Sequence, residues 1–358
     1  MRHIEINLPF GLPPADAAAE LVRGLHAPSI ATLISRTRLS IPPQIAKPFA
    51  RALPHEIWLC RQFGIEAPDQ TNTSPPIAAE LMQSLGIGAE EGFWFILNPA
   101  HIRLAQDRLA LNDPRRLALN EAESRALFES ARPCFDEAGK RIMYGNAATW
   151  FVRADDWEDL RAATPDAACG HSLEFWLPEG PGDRSWRRLH NEVQMLWHAH
   201  SVNQERERAG LAPVNALWLW GGARDKQSKM TGWQKQFSGG YAETFRLSGW
   251  MNALVRFVPR NLAECTADEM MALRPQHGLL MLDGLTVPAL DGDWASWLEA
   301  YRELEENWFF PLLSALQNRK TDRLTLHVGN NKKMLSFTTT RLSLRKFWVE
   351  PTLMNLLP

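Results

Sequence analysis

Cysteine is scarce, with four residues among 358, at positions 60, 134, 169 and 265 and no CxxC pair. That pattern argues against a zinc ribbon or a disulfide scaffold and fits a reducing cytoplasm, where the protein is expected to reside. A surplus of charge is missing as well: 39 Lys and Arg face 41 Asp and Glu, for a net charge of -2. Such a balance gives no general pull toward nucleic acid or an anionic membrane, and neither is expected as a partner. No apolar run approaches the roughly 20 residues needed to cross a bilayer. The opening MRHIEINLPFGLPP lacks a basic segment followed by a long apolar one, so no signal peptide is expected. Internal repeats and low-complexity tracts are absent. Tyrosine is rare, at three residues against fifteen tryptophans. The tryptophans are scattered, which suits large core side chains better than an aromatic ligand platform.

What the chain does have is apolar residues, at 45%. That is enough for a sizeable core, and at this length for two domains. HIEINL at 3–8 alternates like a strand, and HEIWLCRQFG reads as a helix closed by Gly64. The segment 69–76 is loop-like, and 77–86 is helical. Residues 92–112 read as strand, turn, strand. An amphipathic helix follows at 120–136, with Ala122, Leu127 and Ala131 on one face. NAATWFVRA at 146–154 is a strand. A helix at about 185–209 leads through a turn into the buried strand VNALWLWG and a Gly-Gly loop. HGLLMLDG at 277–284 and RLTLHVG at 323–329 are further buried strands. Asp293 is placed to cap a long helix in which Trp294, Trp297, Leu298, Tyr301, Leu304 and Trp308 share a face. Strands alternating with helices predict an α/β fold, a mainly parallel sheet with helices on both faces. Residues 1–86 and 186–358 are expected to form the discontinuous core. Residues 87–185 are expected to form an inserted, smaller α+β domain.

Three stretches also carry a family resemblance. HSVNQERERAGLAPVNALWLWGGA resembles the H-P-V-N, charged helix end, G-x-x-P-A-N, strand and R-G-A-G of archaeal-type cofactor-independent phosphoglycerate mutases. LMLDGLTVPALDGDW resembles their strand followed by G-P-D-E-A-G-H-D-G-D, and LGIGAEEGFWFILN resembles the start of their inserted domain. Those enzymes belong to the alkaline-phosphatase superfamily. The chain is more similar still to bacterial phosphoglycerate-mutase-like proteins labelled as regulatory proteins of the RpfE type. The resemblance implies an alkaline-phosphatase-like core and a serine that is transiently phosphorylated beside two divalent metals. Asp and His side chains hold those metals, which are of the Mn or Zn kind.

Carried over position by position, the implied ligands are missing. Phe10-Gly11 stands at the Asp-Gly pair after the first strand. Thr286 and Leu290 stand at the Asp and His ahead of Asp291-Gly292-Asp293. Gly329-Asn330 stands at the late Asp-His pair. His55, followed by Glu56, stands where the serine would be, and Trp220 where R-G-A-G has its arginine. Phenylalanine, leucine and threonine do not replace carboxylate or imidazole at a divalent site. The resemblance therefore implies a degenerate protein without the two-metal site, a regulatory or ligand-binding pseudoenzyme. No cofactor is expected, and its partner would be an unidentified protein or a small anionic ligand.

Two alternatives remain open. One is an active, metal-dependent mutase or phosphotransferase with relocated ligands, binding Mn or Zn, in which His55 could carry the phosphoryl group. The other is a structural protein-interaction subunit. The best surviving pocket is expected beside Trp220, Gly221, Gly222 and Arg224, with Asn203 and Asn215 near it. Arg224 would grip an anion bidentately or simply lie on the surface. Asn203 and Asn215 equally suit bridging the helix-to-strand turn and pinning the strand start. His190, His198 and His200 read as a solvated or capping set. Asp291 and Asp293 read as caps, and Arg319, Lys320, Lys332 and Lys333 as a solvated edge. Residues 238–251 read as a loop entering a helix.

Overall fold

The structure of the protein is a computed structural model. It describes residues 1–65, 72–88, 91–105, 108–224 and 240–357, with the backbone alone at 38–41. The expected loop at 69–76 lies partly outside the described residues, as does the glycine-rich segment from 238. Strands β1 (His3–Leu8), β2 (Arg38–Ile45), β3 (Phe93–Ala100), β4 (Ile102–Ala105), β5 (Arg108–Leu111) and β6 (Arg141–Asn146) come first. They are followed by β7 (Thr149–Arg153), β8 (Ala216–Arg224), β9 (Glu243–Phe245), β10 (Arg260–Leu262), β11 (His277–Met281), β12 (Arg323–Gly329) and β13 (Lys333–Thr340). Two compact units form. One contains Met1–Lys47, Leu53–Gly64 and Gly232–Pro358, and the other contains Pro48–Ala52 and Ile65–Thr231.

The first unit is built on a seven-stranded sheet in the order β10-β9-β11-β1-β12-β13-β2. Strands β10, β9, β11, β1 and β12 are parallel, while β13 pairs antiparallel with both β12 and β2. One face of the sheet is apolar: Ile4, Ile6 and Leu8 of β1 lie beside Leu324, Leu326 and Val328 of β12, all buried. Helix Pro28–Ser35 packs on β13, and Thr339 of β13 donates its hydroxyl to the Leu33 carbonyl. Glu305 is buried and accepts the amides of Ser29 and Ile30, where carboxylate charge suits the helix dipole. The long helix from Trp294 forms as its spacing predicts. It runs Trp294–Leu304, passes through a π-helical turn at Glu305–Phe309, and continues as Phe310–Gln317. Asp293 caps it by accepting the Ser296 amide.

The second unit has an antiparallel sheet, β6-β7-β3-β8, and a β4-β5 hairpin. Helix Glu121–Glu137 packs against helix Asp183–His198 and against β6. Its buried face holds Leu127, Phe128, Ala131 and Phe135, whereas Ala122 is exposed, contrary to the expected stripe. Two expectations change here. The strand containing Trp218 and Trp220 was placed in the parallel core, but β8 hydrogen-bonds antiparallel to β3. The division between units accordingly falls near 65 and 231 rather than at 86 and 185. The physical reason is that a continuous apolar run marks burial on both faces without specifying its partner strand. The segment after 238 also holds a short strand, β9, between β10 and β11, before helix Asn252–Val255. The tryptophans fill cores: Trp94, Trp150, Trp157, Trp197 and Trp297 are almost fully buried. All four cysteines are free. No helix among the described residues is long and apolar enough to cross a membrane.

Candidate functional site

On the second face of the seven-stranded sheet, β1, β12 and β13 present polar side chains, beside Leu279 and Met281 of β11, which is unusual for parallel strands buried on both sides. Period-two alternation in HIEINL sends His3, Glu5 and Asn7 to this face. Strand order then sets like against like: His3 pairs with His277 and Arg323, Glu5 with Thr325, and Asn7 with His327. Thr338 and Ser336 of β13 continue the row. At its centre the Glu5 carboxylate accepts three hydrogen bonds. Oε1 meets His277 Nε2 at 2.9 Å, and Oε2 meets His327 Nε2 at 3.0 Å and the Tyr241 hydroxyl at 3.1 Å. The Nδ1 of His327 lies 2.8 Å from Ser336 Oγ. Trp58, from helix Pro54–Gln62, covers the His327 ring with 4.2 Å between centroids.

Burial alone would raise the Glu5 pKa, but the hydrogen bonds from His277 and His327 hold it well below the usual carboxylate range. Burial lowers His3 to about 4 against the pull of Glu5, leaving a neutral imidazole at pH 7. Burial and the Glu5 charge push the Tyr241 hydroxyl upward. In the second unit, burial also lowers His190 to about 4, and its Nε2 accepts the Leu217 amide.

These shifts predict a pH dependence. An unfolded histidine has a pKa of about 6.5, so between there and about pH 4 the unfolded chain binds the extra protons. The stability associated with His3 and His190 is fully present above that window and falls as pH drops through it. Glu5 has the depressed-carboxylate sign. Its contribution is present above the ordinary carboxylate pKa and is lost below it. Urea unfolding at a series of pH values checks this, and a His3→Gln/His190→Gln double variant should flatten the upper part of the curve. An unchanged slope would contradict the assignment.

At the carboxyl ends of the same strands, the positions that the resemblance marks as metal ligands are filled differently. Phe10 is buried in a left-handed conformation (φ 55°), and its carbonyl accepts the Trp297 indole N–H at 2.9 Å. The His55 ring meets Phe10 edge-on at 6.2 Å, at the start of a helix where Glu56 caps the Leu53 amide. Gly11 is sterically required, since a Cβ there would come within 2.6 Å of Leu8 and Val328. The Leu12 amide donates to Gly329, joining this loop to the end of β12. Asn330 accepts the amides of Lys332 and Lys333 and donates to the Pro13 carbonyl, so it closes the β12-β13 turn. Leu290 is half-buried. Thr286 is buried, and its hydroxyl has no hydrogen-bond partner among the described residues. The same holds for both polar side-chain atoms of Asn7.

The residues expected to line a pocket beside β8 make structural contacts within the second unit. Asn203 donates to the carbonyls of Trp197 and Val214 and accepts the Val214 amide, tying the helix end to the strand approach. Asn215 exchanges two hydrogen bonds with Ile102. Both therefore take the turn and strand-pinning roles. The Trp220 indole N–H donates to Asn98. Gly221 and Gly222 lie inside β8 rather than in a loop, beside a register shift in β3. Gly221 has φ 71°, and its amide donates to Ser74 Oγ. Arg224 is exposed and paired with Glu158. His200 caps helix Ser201–Arg208 through the Val202 amide. The unit does hold a cleft of about 440 Å³, near Arg51, Arg161 and Arg187, but Glu179 binds the first two of these arginines.

Sequence reasoning missed the Glu5 cluster. Its signal was present: two charged or titratable residues on alternate positions of one strand, and a histidine in each of two others.

No protein-family model matches the sequence, and no curated protein does. Solved structures are similar. A cofactor-independent phosphoglycerate mutase from Thermoplasma acidophilum DSM 1728 matches over 95% of this chain and 89% of its own, at 15% identity and a TM-score of 0.43. The PH0037 protein from Pyrococcus horikoshii matches over 95% and 87%, at 12% identity and a TM-score of 0.51. The second likeness shows a shared fold. The chain is thus a mixed α/β protein with a mostly parallel seven-stranded sheet.

Proposed function

We propose that this chain is a phosphoglycerate-mutase-like binding or regulatory protein that does not carry out two-metal phosphoryl transfer. The family part of this reading rests on the three sequence stretches quoted above. The observation that carries the functional part is the set of side chains that follow β1, β11 and β12 at their carboxyl ends. Two cations a few Å apart need several carboxylate or imidazole donors. Phe10 and Leu290 offer none, and the Asn330 amide oxygen is engaged by two backbone amides. A small ligand fits this end better. Buried polar atoms without partners are costly, at about 1–3 kcal/mol each, and are rare in folded proteins. A water or ligand that accepts from the Asn7 amide nitrogen and the Thr286 hydroxyl and donates to the Asn7 amide oxygen would satisfy them, which suits a small polar molecule carrying both hydroxyl and carbonyl or carboxylate groups.

The test is turnover. Purified protein incubated with 3-phosphoglycerate and Mn, Mg, Zn or Co in turn should give no 2-phosphoglycerate by phosphorus NMR. Metal-dependent interconversion would overturn the proposal.

A further inference from the structure

The polar face of the first unit holds a group of side chains that this reading does not use. His3, Glu5 and His277 each bring one ligand atom to within 4.8 Å of the others. We propose that these three residues form a binding site for one divalent transition-metal ion, best suited to zinc, at the amino ends of β1 and β11. It lies at the opposite end of the strands from the positions that the family resemblance marks.

The donor set comes first. Two imidazoles and one carboxylate are the ligands of zinc sites that keep a fourth position open for water or a ligand. Imidazole nitrogen also selects zinc over magnesium or calcium, which prefer oxygen throughout. Geometry supports the same choice. The parallel register sets His3 directly beside His277, with rings stacked at 4.9 Å and 9°. Glu5 lies two residues along the same face. Its Oε1 is 2.9 Å from His277 Nε2 and 3.8 Å from His3 Nδ1. Bonds of about 2.0–2.2 Å place neighbouring donors of a tetrahedral zinc roughly 3.4 Å apart, so small side-chain rotations would close the site.

The surroundings are organised as metal sites require, with the remaining polar atoms already engaged. His3 Nε2 lies 2.9 Å from Thr325 Oγ1, which contacts Thr338 Oγ1 at 2.9 Å. That leaves Nδ1 toward Glu5. The second Glu5 oxygen is taken by His327 and Tyr241, leaving Oε1 for the ion. A neutral His3 and an ionised Glu5 are the forms that bind metal. Binding needs His277 Nε2 free of the hydrogen that now faces Glu5 Oε1, which the Nδ1–H tautomer provides. Arg323, the register partner of His3, opposes the cation, and the Glu5 charge offsets it. Entry is open, since the side chains of His3, Glu5 and His277 are 19%, 15% and 26% exposed.

The experiment is a zinc titration of chelator-treated protein against a chromophoric competitor, with cobalt substitution to report geometry. Expected are one ion per chain and the visible absorption of tetrahedral cobalt. Loss of an outer partner alone weakens metal sites about 10–100-fold, so His3→Ala and His277→Ala should each weaken binding at least tenfold. His198→Ala, at an exposed histidine in the second unit, should bind as the parent does. Circular dichroism checks folding, and His3→Gln and His277→Gln replace any alanine variant that unfolds. The proposal is overturned if the folded parent binds no zinc at micromolar concentration, or if the folded variants bind as tightly as the parent. Because the readout is metal content, failure here leaves the turnover test untouched.

Discussion

Replacing Glu5 with leucine should cost the protein about 1.5–3 kcal/mol of stability, the usual range for losing hydrogen bonds to a charged, mostly buried acceptor. The side chain is the shared acceptor for His277, His327 and Tyr241. Without it, three polar groups lose their partner, and leucine supplies none. The loss should appear in urea unfolding at pH 7 as a lower midpoint with an unchanged slope. Glu5→Gln keeps one acceptor oxygen and should recover part of the loss. A change below about 1 kcal/mol for Glu5→Leu, the level of a surface ion pair, would mean that the cluster is hydrated and loosely held.

The second large effect belongs to the other unit. Arg206, within the stretch that carries the family resemblance, is almost wholly buried. Its guanidinium donates to the carbonyls of Ala212 and Leu117 and pairs with Glu123, itself the capping-box partner of helix Glu121–Glu137. One side chain thus ties the turn before β8 to the start of a helix more than 80 residues away. Arg206→Ala should destabilise this unit by about 3–5 kcal/mol, because a carboxylate and two carbonyls lose their donor. Arg206→Lys should not restore it, since an ammonium lacks the planar fork that reaches three acceptors. Hydrogen exchange in helix Glu121–Glu137 provides the check: protection should fall in both variants. Full protection in either would contradict this role.

Local patterns were legible where a strong side-chain period decided the structure, although the stripe through helix Glu121–Glu137 misplaced the exposed Ala122. The stripe from Trp294 to Trp308 forms its helix, and Asp293 caps it. Asn203 and Asn215 make the turn-bridging contacts that their positions suggest. The strand through Trp220 was misassigned because its apolar run reports burial, whereas the partner β3 is fixed by long-range pairing. Gly221 and Gly222 looked like a ligand loop for a related reason. A glycine pair reads as a turn, yet Gly221 uses its positive φ inside a strand where a Cβ would strike Ile96. The Glu5 cluster was illegible as a unit because Glu5 lies 272 residues from His277 and 322 from His327. They meet through the order β11-β1-β12, which no local pattern contains. HIEINL alone shows only that one face of β1 is polar.

The account places titratable donors at the amino ends of the parallel strands and apolar or engaged side chains at their carboxyl ends. Metal stoichiometry tests that placement most directly. The parent and a His3→Ala/His277→Ala double variant are each saturated with zinc or manganese, freed of excess metal, and analysed for bound ions by mass spectrometry. The account predicts one zinc per chain in the parent and none in the double variant. Two ions per chain, retained in the folded double variant, would contradict it, because they would require a second donor set at the carboxyl ends.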